Sequence, residues 1–435
     1  MRRLLTLGAL LTTLLILSVS SSRLLAAENL TWEQCLKEAS ANHPDLRSAS
    51  EAVRQAEAQR AIDRGGLLPS LSISTGGSRS GNFSDASGNS SSVSGSSRDG
   101  SWSMVASASQ LLYDGGKTRN TVESRTETIK ATQHAADVIS SSTRYSLRTA
   151  FVQLLTAQQQ VKLTAEIAEI RRHSLRLISL LYNSGSENSG SLSKARADQS
   201  QAEYEVAQAR RGVEMSQAVL CTQLGRRAIT PVSVTAPFVA SESVRGMPDF
   251  DRIVSGHPSF QQLQAQKSAS RYSLDAARSA FTPKVSLGSS VGNNSFSNLP
   301  PERVDWQVGV TVSVPIYQGG TGRATVAQAR ATLNKLAADE ESGYFSVMRS
   351  LQQSWKSFRD AADNVEVQKR YLAAATERAR IAEAQYSAGL VSFNEWTIIE
   401  DNLVSAKKSY LGARSTLLLA EAAWVQAKGG TVETR

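Results

Sequence analysis

From Trp306 to Ile316 the chain alternates. Trp306, Val308, Val310, Val312, Val314 and Ile316 are apolar, and Asp305, Gln307, Gly309, Thr311 and Ser313 fall among them. A period of two sends successive side chains to opposite faces of a strand, so one face meets an apolar medium and the other meets water or small polar neighbours. A weaker version runs through Trp102, Met104, Ala106 and Ala108, set against Ser101, Ser103 and Ser107. Two further alternating runs precede these. "LLPSLSIST" carries Leu71, Ile73 and Thr75 on one face, and "PKVSLGSSVG" carries Val285, Leu287, Ser289 and Val291. The pattern predicts two β-hairpins, over about 67–114 and 283–318, with long polar connections at Gly76–Gly100 and Asn293–Arg303.

After each hairpin the period changes to seven. Leu147, Leu154, Val161, Ala168, Leu175 and Tyr182 follow one another at that step, as do Tyr344, Leu351, Phe358, Val365, Leu372, Ala379 and Tyr386. A sustained seven-residue repeat predicts coiled helices, and residues 118–182 would span roughly 95 Å at 1.5 Å per residue. Gly185 and Gly389 mark where each helix turns, since a glycine at a helix end takes positive φ. A second helix then returns to Gly225 or Gly429. Helical hairpins are therefore expected over about 117–225 and 321–428. A polar Ala/Gln-rich helix should precede each β-hairpin, at about 31–64 and 248–280.

The two halves match each other. Tyr113-Asp-Gly-Gly-Lys-Thr-Arg119 aligns with Tyr317-Gln-Gly-Gly-Thr-Gly-Arg323 at an offset of 204 residues, which also carries Tyr182 onto Tyr386 and Gly225 onto Gly429. Upstream, His43-Pro44 matches His257-Pro258 and Pro69 matches Pro283 at an offset of 214. An internal duplication explains both offsets, with repeats at 28–225 and 248–429, a connector at 226–247 and a tail at 430–435.

A small soluble sheet packed on helices would also alternate. The strands from Trp102 to Tyr113 and from Trp306 to Tyr317 are instead close to the ~9–11 residues that a tilted strand needs to cross a bilayer, with aromatics near both ends. An odd spacing between Trp and Tyr puts them on opposite faces unless a bulge intervenes, so Tyr113 and Tyr317 are expected inward, and Leu112 and Ile316 outward. Four strands cannot close a barrel, and lipid does not tolerate an open edge. Such a chain must oligomerise, and three copies would supply twelve strands.

Composition narrows the class. Arg2 and Arg3, an apolar run from Leu4 to about Val19 and Ala26-Ala27 outline a secretory signal peptide over residues 1–27. Cutting after Ala27 removes three arginines and lowers the formal net charge from +9 to +6. Lys and Arg are spread among Glu and Asp along helical stretches, as on a solvated face, which argues against nucleic acid. Only two cysteines are present, Cys35 and Cys221, and their spacing leaves a disulfide and two reduced thiols equally open. Gly116-Lys117-Thr118 imitates the end of a phosphate loop. A true one needs glycine at position 111, where Leu111 stands, and a buried parallel strand before it. His43, His134, His173 and His257 are far apart, with no second ligand at helical spacing, and no nucleophile–base signature appears. Neither an enzyme nor a metal or cofactor site is expected.

The "HPDL" opening, "PIYQGGTGRATVAQA" and "YSAGLVSFNEW", in this order and spacing, resemble the TolC family of outer-membrane efflux and secretion ducts over nearly all of the mature chain. The resemblance implies an α+β membrane protein: a homotrimer with a twelve-stranded outer-membrane β-barrel, four strands per chain, continuous with a twelve-helix periplasmic α-barrel. It also implies outer-membrane lipid, a periplasmic adaptor and an inner-membrane ABC or proton-driven transporter as partners. By the same resemblance, the tip at Tyr182, Gly185, Tyr386 and Gly389 contacts the adaptor and Glu395 with Tyr386 forms the periplasmic gate. Ser191 and Val391 depart from the family's charged pattern, so a salt-bridge latch looks incomplete. Gly115, Gly116, Gly319 and Gly320 are the turns between barrel and tunnel. The absence of a lipid-anchor cysteine and the short tail after Gly429 tilt the expected cargo toward type I protein secretion, with small-molecule drug efflux as the alternative. An adaptor or coiled-coil scaffold without a pore is the remaining class, and the bilayer-length strands argue against it.

Overall fold

A computed structural model describes residues 28–80, 99–241, 246–296 and 303–433. The apolar leader at 1–27 and most of the Ser/Gly-rich connection after Gly76 lie outside the described residues. In chain order the elements are β1 (Glu28–Leu30), α1 (Trp32–Asn42), α2 (Pro44–Gly65), β2 (Ser70–Ser80), β3 (Asp99–Tyr113), α3 (Lys117–Asn183) and α4 (Ser189–Gln223). There follow β4 (Val232–Val234), α5 (Phe250–Gly256), α6 (Pro258–Arg278), a 3-10 turn (Ser279–Phe281), β5 (Lys284–Phe296), β6 (Asp305–Ser313), α7 (Thr321–Ser387) and α8 (Phe393–Ala427). Both α3 and α7 have 67 residues, and both α4 and α8 have 35. None of the described helices is long and apolar enough to cross a membrane.

The chain divides into two compact units. One comprises the described residues within 28–48, 137–257 and 347–433. Its core gathers Leu147, Phe151 and Leu154 of α3 with Cys35 of α1, Leu220 and Cys221 of α4 and Val232 of β4. β1 pairs in parallel with β4, and Arg226 fixes this corner by a two-pronged bond to Glu38 and a third to Glu28 at 2.9 Å. Both cysteines are free and fully buried. The period-seven positions Leu147, Leu154, Leu351 and Phe358 are also fully buried.

The other unit comprises the described residues within 49–136 and 258–346. Its four strands form an antiparallel sheet in the order β2-β3-β5-β6. Directly paired residues share a face. Leu71, Ile73, Met104, Val291, Trp306, Val308 and Val310 therefore lie on one side, and all are exposed. The other side is lined with small polar residues whose hydroxyls bond across strands, Ser70 to Ser109 at 2.8 Å and Ser78 to Ser101 at 2.9 Å. Below the sheet, Arg125 of α3 pairs with Asp63 of α2 at 2.7 Å, and Ser124 reaches Ala269 O of α6 at 2.9 Å. Gly343 of α7 lies under Leu263 of α6, where a Cβ would come within 2.2 Å of Leu263 Cδ1.

Three expectations are corrected. The helices expected at 31–64 and 248–280 are each broken in two at His43-Pro44 and His257-Pro258, where His43 and His257 are extended (ψ 126° and 129°). A proline ring crowds the preceding residue out of the α region. The alternation that runs to Ile316 overstates β6, which stops at Ser313, because Pro315 has no N–H to give the ladder. The inward placement of Tyr113 also fails in the isolated chain. A register shift between Leu111 and Tyr113 pairs Tyr113 with Val285 and so turns it to the apolar face that carries Leu287 and Val291, as a bulge does.

Candidate functional site: the hairpin turns and the strand-to-helix joints

Each long helix ends the same way. Gly185 (φ 77°) and Gly389 (φ 71°) take the left-handed conformation, and Ser186 and Leu390 donate back to Leu181 O and Gln385 O, both at 2.8 Å. The returning helices are capped by Asn188, whose side chain accepts from Ser191 N at 2.9 Å, and by Ser392, which accepts from Glu395 N at 3.3 Å. The two turns then diverge. Tyr182 is 41% exposed, whereas Tyr386 is 5% exposed. Tyr386 stacks on the buried Trp396 with centroids 4.5 Å apart and rings 7° from parallel, and its hydroxyl donates to Glu187 Oε1 at 2.9 Å. Burial and the Glu187 bond push the Tyr386 phenol well above its ordinary range, so it remains a donor.

Above this turn, Arg171 of α3 is buried and faces α8. Its guanidinium bonds Glu400 Oε2 at 2.9 Å and also Asp401, and Ser174 Oγ donates to Glu400 Oε1 at 2.8 Å. Burial raises the Glu400 carboxyl, outweighing Ser174 and Arg171, which lower it. Lys407 pairs with Glu166, and Lys408 with Glu205 at 2.8 Å. These contacts tie the first helical hairpin to the second.

Of the residues expected at the tip and gate, Tyr386 is drawn into the turn, where it meets Glu187, a residue the sequence reading did not single out, while Tyr182 stays exposed. Glu395 sits in the first turn of α8, exposed, with only its backbone held by Ser392. Val391 packs into the apolar cluster around Trp396. Without an arginine at 391, a hydrogen bond still joins the two turns: Tyr386 donates to Glu187, five residues past Tyr182. The counterpart of Glu187 at an offset of 204 is Val391, and that mismatch between the repeats was the available signal.

The glycine pairs also have positive φ: Gly115 67°, Gly116 82°, Gly319 59° and Gly320 82°. At the first joint, Asp114 Oδ2 accepts from Thr118 N at 2.8 Å and from Thr118 Oγ1 at 2.5 Å. The backbone N–H that a phosphate would need is taken by the protein's own carboxylate, which caps α3. The 3-10 turn closes over this joint: Ser279 Oγ donates to Gly115 O at 2.8 Å, and Thr282 covers Gly115 so closely that a Cβ there would lie 1.8 Å from Thr282 Oγ1.

Comparison with known proteins agrees with this architecture. The cation efflux system protein CusC of Escherichia coli is 23% identical over 389 residues, covering 88% of this chain and 81% of its own. The toluene efflux pump outer membrane protein TtgC of Pseudomonas putida is 24% identical over 411 residues, covering 92% and 82%. A crystal structure of CusC shares the fold, with a TM-score of 0.81, 21% identity and 92% coverage of both chains. The family model described as outer membrane efflux protein matches residues 35–226 and 251–430, and this protein, an outer-membrane protein, belongs to that family.

Proposed function

We propose that three copies of this chain form the passive outer-membrane duct of a tripartite efflux pump. An inner-membrane transporter supplies the energy, and a periplasmic adaptor links it to the hairpin turns. The observation that carries this reading is the uncovered apolar face shared by all four strands. Apolar surface left in water costs roughly 25 cal/mol per Å², a cost that contact with lipid removes. The sheet also has two open edges, β2 and β6, which hydrocarbon forbids. Closure by three copies satisfies the edges and gives twelve strands. The matched lengths of the two helical hairpins support a tandem duplication behind this arrangement.

The duct has no catalytic role in this reading, and its cargo is small solutes. CusC and TtgC are named for cation and toluene efflux, which favours this cargo over the type I protein secretion expected from the sequence. Deleting the gene and comparing tolerance of metals, solvents and drugs with the secreted proteome tests the cargo. Lost tolerance with an unchanged secretome is expected. A depleted secretome with unchanged tolerance would restore the secretion reading. Stepwise conductance of the full chain in planar bilayers tests the duct itself, and its absence would overturn it.

A further inference from the structure

The helical wall below the sheet has two unlike faces. One is a groove lined by Ser124 and Thr128 of α3, Gln266 and Ser273 of α6, and Thr325 and Gln328 of α7. Its lining is hydroxyl, amide and apolar except for Arg125, whose guanidinium is held by Asp63 at 2.7 Å. The opposite face carries arginine. Two residues on a helix are about 200° apart, so Arg271 lies behind Ser273, Arg323 behind Thr325 and Arg330 behind Gln328. Arg278 follows Arg271 by two turns, and Arg119 precedes Thr128 by two and a half. All five are exposed.

A solvated helix face mixes both signs of charge, and this one is mostly of one sign. Arg278 pairs with Asp275 at 2.9 Å, and among the described residues the other four have no carboxylate partner. Asp63 and Asp114, near the strand ends, are engaged by Arg125 and Thr118. The height of the arginines is also set. All four strands turn the same end to the helices, since Ser70 pairs with Ser109, Gln110 with Leu287 and Lys284 with Ser313. Arg119 and Arg323 are each the third residue of their helix, and Arg278 is the last of its own. These three sit at one level, just beneath the uncovered apolar face. Tyr113, Phe281 and Tyr317 stand exposed at the same foot, where aromatic rings mark a membrane–water boundary. A bilayer has about 5–8 Å of headgroup outside its hydrocarbon on each side, which reaches all three arginines. Arg271 and Arg330 are two turns, about 10 Å, further down, close to one Debye length.

We infer that Arg119, Arg278 and Arg323 bind the phosphates of anionic phospholipids in the leaflet at the foot of the sheet, with Arg271 and Arg330 adding attraction from below. The inference rests on the membrane assembly proposed above. A wall closed into a ring has its concave groove inside and its arginines outside, on the side of the lipid. The arginine face is continuous with the apolar sheet face, and its charge complements phosphate. Guanidinium suits phosphate better than ammonium does, because its planar fork donates two parallel bonds.

The test reconstitutes the full chain in phosphatidylcholine vesicles with a trace of spin-labelled phosphatidylglycerol or spin-labelled phosphatidylcholine. The motionally restricted fraction of each probe gives the relative association of the two lipids with the protein. An arginine near an anionic surface contributes about a fivefold preference, so phosphatidylglycerol should be favoured by about that factor. The preference should fade in ~1 M salt, where the Debye length is about 3 Å. The triple variant Arg119→Gln, Arg278→Gln, Arg323→Gln should bring the ratio close to one. Arg172→Gln with Arg176→Gln, exposed near the other end of α3, should leave it at the native value. Equal association of both lipids with the native chain would overturn the lipid contact, keep the duct and leave the arginine face to an acidic protein. A preference that survives in the triple variant would place anionic lipid elsewhere and overturn it too. Should the triple variant not insert, the salt titration of the native chain decides, because a preference unmoved by salt is not electrostatic and sinks the contact. If neither probe shows a restricted fraction, the sheet is not in the membrane, and the duct reading falls together with the arginine contact.

Discussion

Replacing Tyr386 with Phe removes one oxygen from the hairpin turn and almost nothing else. The ring stays stacked on Trp396, 4.5 Å between centroids, so the roughly 0.5–1.5 kcal/mol of that aromatic pair is retained. What is lost is the 2.9 Å bond from the phenol to Glu187 Oε1. A hydrogen bond to a carboxylate contributes about 1.5–3 kcal/mol. Glu187 is half-buried, which argues for the lower end. A loss of about 1.5 kcal/mol shifts the closed-to-open ratio roughly tenfold per copy. In a three-copy gate whose bonds break together, independent losses multiply to about a thousandfold. The assay is single-channel recording in planar bilayers, with open probability as the readout. Tyr386→Phe should open more often than native at the same thermal midpoint. Glu187→Gln should move the same way by less, because its amide oxygen still accepts. The phenol's ordinary value is 10.0 and its environment raises it. The stability from its protonated form is thus fully present below pH 10 and lost only as the pH rises through the raised value, so the latch should hold to pH 10. An open probability for Tyr386→Phe equal to native would refute the latch.

The cluster above the latch should respond asymmetrically. Arg171→Met strands the buried Glu400 carboxylate and should cost about 3 kcal/mol in denaturant melts, whereas Glu400→Gln, which keeps Ser174 and leaves Arg171 to Asp401, should stay within about 1 kcal/mol of native. Burial raises Glu400 above its ordinary 4.5. Folding therefore takes up a proton there, and its stability contribution, full below pH 4.5, falls as the pH rises through the raised value; Glu400→Gln should flatten that slope. Cys35 and Cys221 should resist maleimide at pH 8 in the folded chain and take two labels once denatured, read by mass, since both are fully buried and burial pushes Cys35 up to about 12. Glu395→Ala should lower cation preference, measured as a reversal potential under a salt gradient, because a ring of carboxylates focuses negative potential; an unchanged potential would remove Glu395 from the gate.

Much of this architecture was legible because its signals are periodic or terminal. The period of seven and the closing glycines located α3 and α7, whose first residues, Lys117 and Thr321, are 204 apart. The breaks before Pro44 and Pro258 and the early end of β6 were legible in principle too, since proline acts on its own neighbours. The turn chemistry was not. Reading the repeats by their agreement made Tyr182 and Tyr386 equals, yet only Tyr386 has an aromatic ring to stack on and a carboxylate to bond. At the offset of 204, Trp396 answers to Leu192, Glu187 to Val391 and Arg171 to Ala375. Each buried polar or stacked contact at the turn uses a residue that the other copy lacks. The same holds at the joints, where Thr282 answers to Leu68 across the offset of 214. Shared residues supply what both copies need, which is left-handed turns and a helical seam. A duplicated chain can place a contact that only one of its turns makes, such as Tyr386 on Trp396 and Glu187, only where its repeats differ.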